Sequence, residues 1–260
     1  MKINPLCIHQ NISSTGKIPK GMNKRILMPK QLLEQGYMST FESAEEALLA
    51  SQQGSFPQHF IFEGNPFVLY KHVFSPSFFK GSSVYVNHLP LKEKQSMLDM
   101  GCGCGIIGIT AFKKYKLDSV VCADINGYAV KNTRRNIQLN NLGDNINVIQ
   151  SNVFSNIDSD KKFDLIFWNA PYFDGENIGS TILHKSMYDK NYENIKKFIT
   201  DGQNYLNEDG KIMLGFSTSK FSLEWARRLI REIGYDLTIY FQKTDSLGFK
   251  QEILEVTKLL

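Results

Sequence analysis

The sequence lacks most of the features that commit a chain to a membrane, a metal or an oxidising compartment. No apolar run approaches the roughly 20 residues that a membrane-spanning helix needs. The opening stretch, MKINPLCIHQNISSTGKIPK, has no apolar leader core, so a cytoplasmic location is expected. Cysteine is scarce, at four residues: Cys7, Cys102, Cys104 and Cys122. Cys102 and Cys104 form one close pair with no second pair to face them. His9, His59, His72, His88 and His184 show no ligand spacing, so no metal site and no zinc module is expected. The thiols are expected to be reduced.

Charge of one sign is also lacking, since the net is only +4. It is unevenly spread. Residues 1–40 carry Lys2, Lys17, Lys20, Lys24, Arg25 and Lys30 against Glu34 alone. A basic arm of this kind can follow phosphates, and it can equally be a solvated tail. No internal repeat and no low-complexity tract is present.

What the chain does have is a hydrophobic fraction of 42%, enough for a large core, and a clear alternation of short apolar segments. Residues 1–28 are polar and read as a loose arm. Ser39 and Glu42 have capping-box spacing, and a helix is expected to follow through about Ser51. HFIFEGNPFVLYKHVF reads as two strands around the turn EGNP. From about Lys92 the texture changes. SMLDM, SVVCAD, INVIQ, FDLIFWN, GKIMLGFS, LTIYFQ and EILEVTKLL read as strands. Helical patterns stand between most of them, in IGITAFKKY, GYAVKNTRRNIQLNN, YENIKKFITDGQNYL and LEWARRLIREIGY. Such alternation predicts an α/β fold with a Rossmann-like, mostly parallel seven-stranded sheet, helices on both faces and a closing antiparallel hairpin. Residues 1–90 are expected to form an N-terminal arm, helix and hairpin on the substrate side. Residues 91–260 are expected to form the cofactor-binding catalytic domain. In such sheets the ligand lies beyond the carboxyl ends of the strands. Asp99, Asp124, Asn152 and Asn169 are therefore expected to converge on one crevice.

MLDMGCGCGIIGI, residues 97–109, holds two overlapping glycine patterns. Gly103, Gly105 and Gly108 satisfy G-x-G-x-x-G, a dinucleotide signature. Asp99, Gly101, Gly103 and Gly105 satisfy D-x-G-x-G-x-G. In either case the glycines let backbone approach a ligand, and Asp124 at the end of the second strand suits ribose hydroxyls. The loop alone leaves NAD and S-adenosylmethionine both open. Asp99 favours the latter, because a carboxylate suits an ammonium and a sulfonium better than a pyrophosphate. Its alternative role is to accept amide hydrogens of the loop.

NAPY, Asn169 to Tyr172, directly follows the fourth strand of the alternating series. With LDMGCGCG, ADINGYAVKNTRRNIQLNNL, QSNVF and DLIFWNAPYF in this order, the sequence from Phe67 to Leu260 resembles the class I methyltransferases that carry an [N/D]-P-P-[Y/F] signature. That group includes release-factor glutamine, small-domain ribosomal RNA guanine and adenine-N6 methyltransferases. The resemblance implies S-adenosyl-L-methionine as cofactor and S-adenosyl-L-homocysteine as its product. It assigns Asp99, Gly101, Cys102, Gly103, Gly105, Asp124, Ile125, Asn152, Val153 and Asn169 to cofactor binding. It assigns Asn169, Ala170, Pro171 and Tyr172 to catalysis, with the Asn169 oxygen and the Ala170 carbonyl accepting the two N–H bonds of a target NH2. Two positions depart from the pattern: Ala170 stands where the group has proline, and Asn152 where an acidic residue is usual.

The implied activity is N-methylation of an amine or amide NH2, on a small molecule or a protein side chain. The alternative acceptor is an exocyclic base amine of structured RNA, reached through the basic arm 1–40. An NAD-binding oxidoreductase and a non-catalytic cofactor-binding subunit are remote alternatives. No membrane partner is expected. Trp168 reads as core, and His184, in the loop after NAPY, reads as bordering the site.

Overall fold

The computed structural model describes residues 44–78, 81–171, 173, 181–217, 223–244 and 250–259. The basic arm, the capping-box residues Ser39 and Glu42, and Tyr172 lie outside them. Helix α1 (Ala44–Ser51) leads into a hairpin of β1 (Gln58–Phe62) and β2 (Asn65–Leu69). Glu63 and Gly64 turn between them at φ 45° and 74°, the left-handed backbone that a two-residue hairpin turn demands. A short helix α2 (Gly81–His88) follows, which the sequence pattern had not suggested.

The main sheet then alternates with helices: β3 (Ser96–Met100), α3 (Ile106–Tyr115), β4 (Ser119–Asp124), α4 (Gly127–Leu139), β5 (Ile146–Gln150) and β6 (Phe163–Asn169). After two 3-10 turns come α5 (Glu193–Gly202), β7 (Leu206–Phe216), α6 (Leu223–Arg231), β8 (Tyr235–Thr244) and β9 (Lys250–Lys258). Strand order is β5-β4-β3-β6-β7-β9-β8. The first five strands run parallel, and β9 is antiparallel to both its neighbours. The seven-stranded, mostly parallel sheet with a closing antiparallel pair is the architecture expected from the sequence.

Both faces of the sheet are covered, which is why its central strands read as unbroken apolar runs. Met97, Leu165, Phe167, Met213 and Ile253 face one core, shared with α2, α3, α4 and the hairpin. Leu98, Ile166, Leu214 and Leu254 face the other, shared with α5 and α6. Adjacent residues of one strand thus serve opposite cores, as the pleat requires.

The hairpin is held by a ladder of asparagines on α4. Asn132, Asn136 and Asn140 recur every four residues, so they share one helix face. Asn136 Oδ1 accepts the Val68 amide at 2.8 Å, and its Nδ2 donates to the carbonyls of Val68 and Cys104 at 2.9 and 2.8 Å. Asn132 accepts the Tyr70 amide and donates to Val68, both at 2.8 Å. Asn140 donates to Pro66 at 2.8 Å. These amides do for β2 what a neighbouring strand would otherwise do, and they satisfy backbone groups that burial would leave unpaired. No helix among the described residues is long and apolar enough to cross a membrane.

Candidate active site

Four parallel strands bring the candidate residues into a row. The register pairs Met100 with both Ala123 and Trp168, and Asp124 with Gln150. One residue beyond the Met100 level stand Gly101, Asp124 and Asn169, with Gln150 beside Asp124. The glycine loop after β3 is therefore flanked by the end of β4 on one side and by the end of β6 on the other.

Three glycines of the loop adopt positive φ: Gly101 at 61°, Gly103 at 59° and Gly105 at 79°. Their surroundings separate the two overlapping patterns. A Cβ on Gly108 would lie 2.7 Å from Cys122 Sγ and 3.0 Å from Asp99 Oδ2, and one on Gly105 would lie 2.7 Å from Thr133. Those two glycines let α3 and α4 approach the sheet. Gly103 is different, because a Cβ there would meet nothing within 4 Å. The open space beside exposed backbone is what a ligand-facing loop position provides. The Gly103 amide donates to Asp124 Oδ2 at 2.9 Å, and its carbonyl accepts Thr133 Oγ1 at 2.9 Å.

Asp124 also accepts the Asn126 amide on Oδ1 at 2.8 Å. Each carboxylate oxygen has taken one backbone amide and retains acceptor capacity for a ribose hydroxyl. Burial raises its carboxyl to about 6, against the pull of the two amides. Asn126 caps α4 by accepting the Tyr128 amide, and its Nδ2 donates to His72 of the segment after β2. Ile125 is half-buried between Asp124 and this cap.

Asp99 is 2% exposed, and its Oδ2 accepts the Gly108 amide at 2.8 Å in the first turn of α3. The structure thus puts it to the second of its two expected uses, beneath the loop. Burial pushes its carboxyl up to about 7. Cys102 and Cys104 are likewise buried under the loop, so only their backbone can meet a ligand. Burial pushes the Cys104 thiol up to about 12, and the hydrogen bond with Cys122, then burial, carries Cys102 well above the usual thiol range.

Beyond β5 the chain makes a tight turn. Asn152 is exposed, and Val153 is held at φ 51°. Left-handed backbone is costly for a β-branched residue and is found where surrounding structure enforces it. Here Ser151 enforces it, donating from Oγ to the Val153 carbonyl at 2.6 Å while accepting the Asn156 amide at 3.0 Å.

At the end of β6, Asn169 is half-buried, Ala170 is 2% exposed and Pro171 is buried. The chain returns beside Phe173, whose amide donates to the Met187 carbonyl at 3.0 Å and whose carbonyl accepts the Asp189 amide at 2.9 Å. Asp189 then caps α5, accepting the Asn194 and Ile195 amides at 3.2 and 2.9 Å. Leu183 and Met187 pack with Leu48 of α1 and with Phe74, so the excursion after Pro171 rests on the N-terminal helix. His184 is buried and its Nδ1 lies 2.6 Å from Thr181 Oγ1.

The sequence pattern places Trp168 in the core, and its ring packs against the core shared with α5 and α6. The indole is only half-buried, and its Nε1 would lie 2.4 Å from a Cβ on Gly101. It therefore abuts the first glycine of the loop.

The open face of Gly103 and the acceptor capacity of Asp124 suit a ligand that carries ribose hydroxyls. Comparisons with known proteins agree. The profile of the family described as methyltransferase small domain matches residues 65–229. A ribosomal RNA small subunit methyltransferase C of Psychromonas ingrahamii is 33% identical over 52% of this chain, which spans 34% of that protein's length. A protein of Methanocaldococcus jannaschii, provisionally named a protein N5-glutamine methyltransferase, is 30% identical over 68% of this chain and 88% of its own length. Among solved structures, the M. jannaschii tRNA m1G37 methyltransferase shares the fold at a TM-score of 0.55 and 19% identity, over 80% of this chain and 59% of that one. The chain belongs to the methyltransferase small domain family, and with it to the class I S-adenosylmethionine-dependent methyltransferases.

Proposed function

We propose that the chain transfers a methyl group to the nitrogen of an amine or amide NH2, on a small molecule or a protein side chain. The observation that carries this reading is the position of Asn169–Ala170–Pro171 at the end of β6, directly beside the glycine loop of β3. S-adenosylmethionine supplies an electrophilic methyl group on a sulfonium. The backbone around Gly101–Gly105 and the Asp124 carboxylate bind it, with Ile125, Asn152 and Val153 bordering the adenine end.

A planar NH2 is a poor nucleophile because its lone pair is delocalised. The Asn169 side-chain oxygen and the Ala170 carbonyl accept its two N–H bonds and hold the nitrogen toward the methyl group. Both acceptors also favour the positive charge that develops on nitrogen. Such orientation contributes several kcal/mol of the barrier reduction. Pro171 stiffens the turn that Ala170 leaves less rigid, and Tyr172 offers a flat face to the acceptor. Residues 1–90 form the substrate-side module, consistent with the packing of α1 and Phe74 against Leu183 and Met187. The protein works in the cytoplasm.

Asn169→Ala removes one preorganised acceptor, and turnover is expected to fall about 10²–10³-fold with far less change in cofactor affinity. Asn169→Asp, which keeps an oxygen, is expected to retain more activity. The assay is transfer of isotopically labelled methyl into an extract fractionated into metabolites, protein and RNA. Label in metabolites or protein supports the reading. Label in RNA favours the second acceptor, for which the basic residues 1–40 speak.

A further inference from the structure

Trp168 is a large aromatic side chain near the end of β6, half-buried against the core that α5 and α6 cover. Its ring is braced on one side by Phe198 of α5, edge to face, with centroids 5.1 Å apart and planes at 63°. On the other side it abuts Gly101. Its Nε1–H has no hydrogen-bond partner among the described residues. It is not fully buried, so it is open to solvent and to a ligand.

Two further observations say what the partner is. The first is strand order. Asp124, the candidate acceptor for ribose hydroxyls, ends β4 on one flank of β3, and Trp168 stands one residue before the end of β6 on the other. A cofactor lying across the glycine loop with its ribose at Asp124 therefore directs its amino-acid end toward Trp168. The second is the lack of a cation. Residues 99–106, 122–130, 150–156 and 168–171, which make up the row, contain no lysine and no arginine. Within these segments the donors for an anion at the β6 end are neutral: the loop amides and the indole of Trp168.

We propose that the Trp168 indole N–H donates a hydrogen bond to the carboxylate of the cofactor's amino-acid end. It thereby fixes the sulfur beside Asn169, whose backbone is contiguous with its own. The proposal rests on the reading of this row as the S-adenosylmethionine site. Trp168 is a binding and positioning residue, and its bond is to a charged acceptor, the stronger kind.

The test uses two ligands that share the adenosine and differ in the amino acid. S-adenosylhomocysteine carries the carboxylate, and 5′-methylthioadenosine does not. Calorimetry is run on the full chain and on Trp168→Phe, which keeps a ring against Phe198 and Gly101 and removes the N–H. Affinity for S-adenosylhomocysteine is expected to fall about tenfold, in line with the loss of one charge-assisted bond, and affinity for methylthioadenosine to stay the same. A second measurement leaves Trp168 in place. The chain has two tryptophans, so Trp225→Phe makes Trp168 the sole indole emitter. Its emission is expected to change with S-adenosylhomocysteine and not with methylthioadenosine. Equal affinity of Trp168→Phe and the unaltered chain for S-adenosylhomocysteine overturns the proposal. So does an equal loss for both ligands, which marks a packing role. Failure of the unaltered chain to bind either ligand overturns the site reading along with it.

Discussion

Asp99 shows how one carboxylate at a strand end can serve the architecture and still shape the chemistry above it. Burial lifts its carboxyl to about 7, the Gly108 amide pulls it down, and the charge of Asp124 adds to the rise. The folded chain therefore keeps a proton that the unfolded chain, with a carboxyl at its ordinary 3.8, releases. A folded-state value above the unfolded one means that stability is fully present at low pH and declines as pH climbs from about 4 to about 7. Asp99→Asn keeps an oxygen for the Gly108 amide and removes the titration. Urea unfolding across this window is expected to show a shallower decline for the variant than for the unaltered chain. Parallel profiles would mean that Asp99 ionises freely in the folded state.

At the scale of elements, the asparagine ladder of α4 joins three parts that the sequence presents separately. Asn136 links β2 to the carbonyl of Cys104 in the glycine loop, so the hairpin and the cofactor loop share one residue. Asn136 is 0% exposed. Asn136→Ala removes the side-chain partner of the Val68 amide and of the Cys104 carbonyl in a dry environment, and leaves the Val68 carbonyl with Asn132 alone. The expected loss is about 2–4 kcal/mol of unfolding free energy, since each buried group left unpaired costs about 1–3 kcal/mol. Asn136→Asp is expected to recover little, because it restores the acceptor for Val68 and supplies no donor for the carbonyls. Thermal unfolding monitored by circular dichroism checks both. A stable Asn136→Ala would show that the hairpin docks through its apolar face alone.

For the whole molecule the open question is how an acceptor larger than a metabolite would be held. Residues 71–150 carry ten lysines and arginines against five acidic residues, of which Asp99 and Asp124 are engaged at the loop. Lys131, Arg134 and Arg135 line the exposed face of α4. The basic arm adds Lys17, Lys20, Lys24 and Arg25. If the acceptor is RNA, binding falls steeply with salt, and deleting residues 1–28 reduces the slope of log K against log salt. If the acceptor is small, the same deletion leaves cofactor affinity and the salt dependence of turnover nearly unchanged. Filter binding over a salt series separates the two outcomes.

Much of this architecture is written locally. SVVCAD, INVIQ and FDLIFWN coincide with β4, β5 and β6, because a strand buried on both faces is a short apolar run bounded by residues that favour turns. The order of strands, glycine loop, Asp124 and NAPY likewise identifies the family without coordinates. Tertiary structure decided the rest. Helix α2 has little helical periodicity, and it forms because Tyr85 packs on Phe167, donates to the Phe216 carbonyl at 3.2 Å and finds room over Gly215. The division of labour among the glycines depends on what stands opposite each one, a cysteine sulfur at Gly108 and open space at Gly103. Asp99 could face a ligand or a helix turn from its sequence position, and only the packing of α3 on β3 chose the turn. Trp168 is indistinguishable in sequence from the core residues before it. The end of the sheet leaves its ring half-covered against the core of α5 and α6, with its Nε1 beside the bare backbone of Gly101.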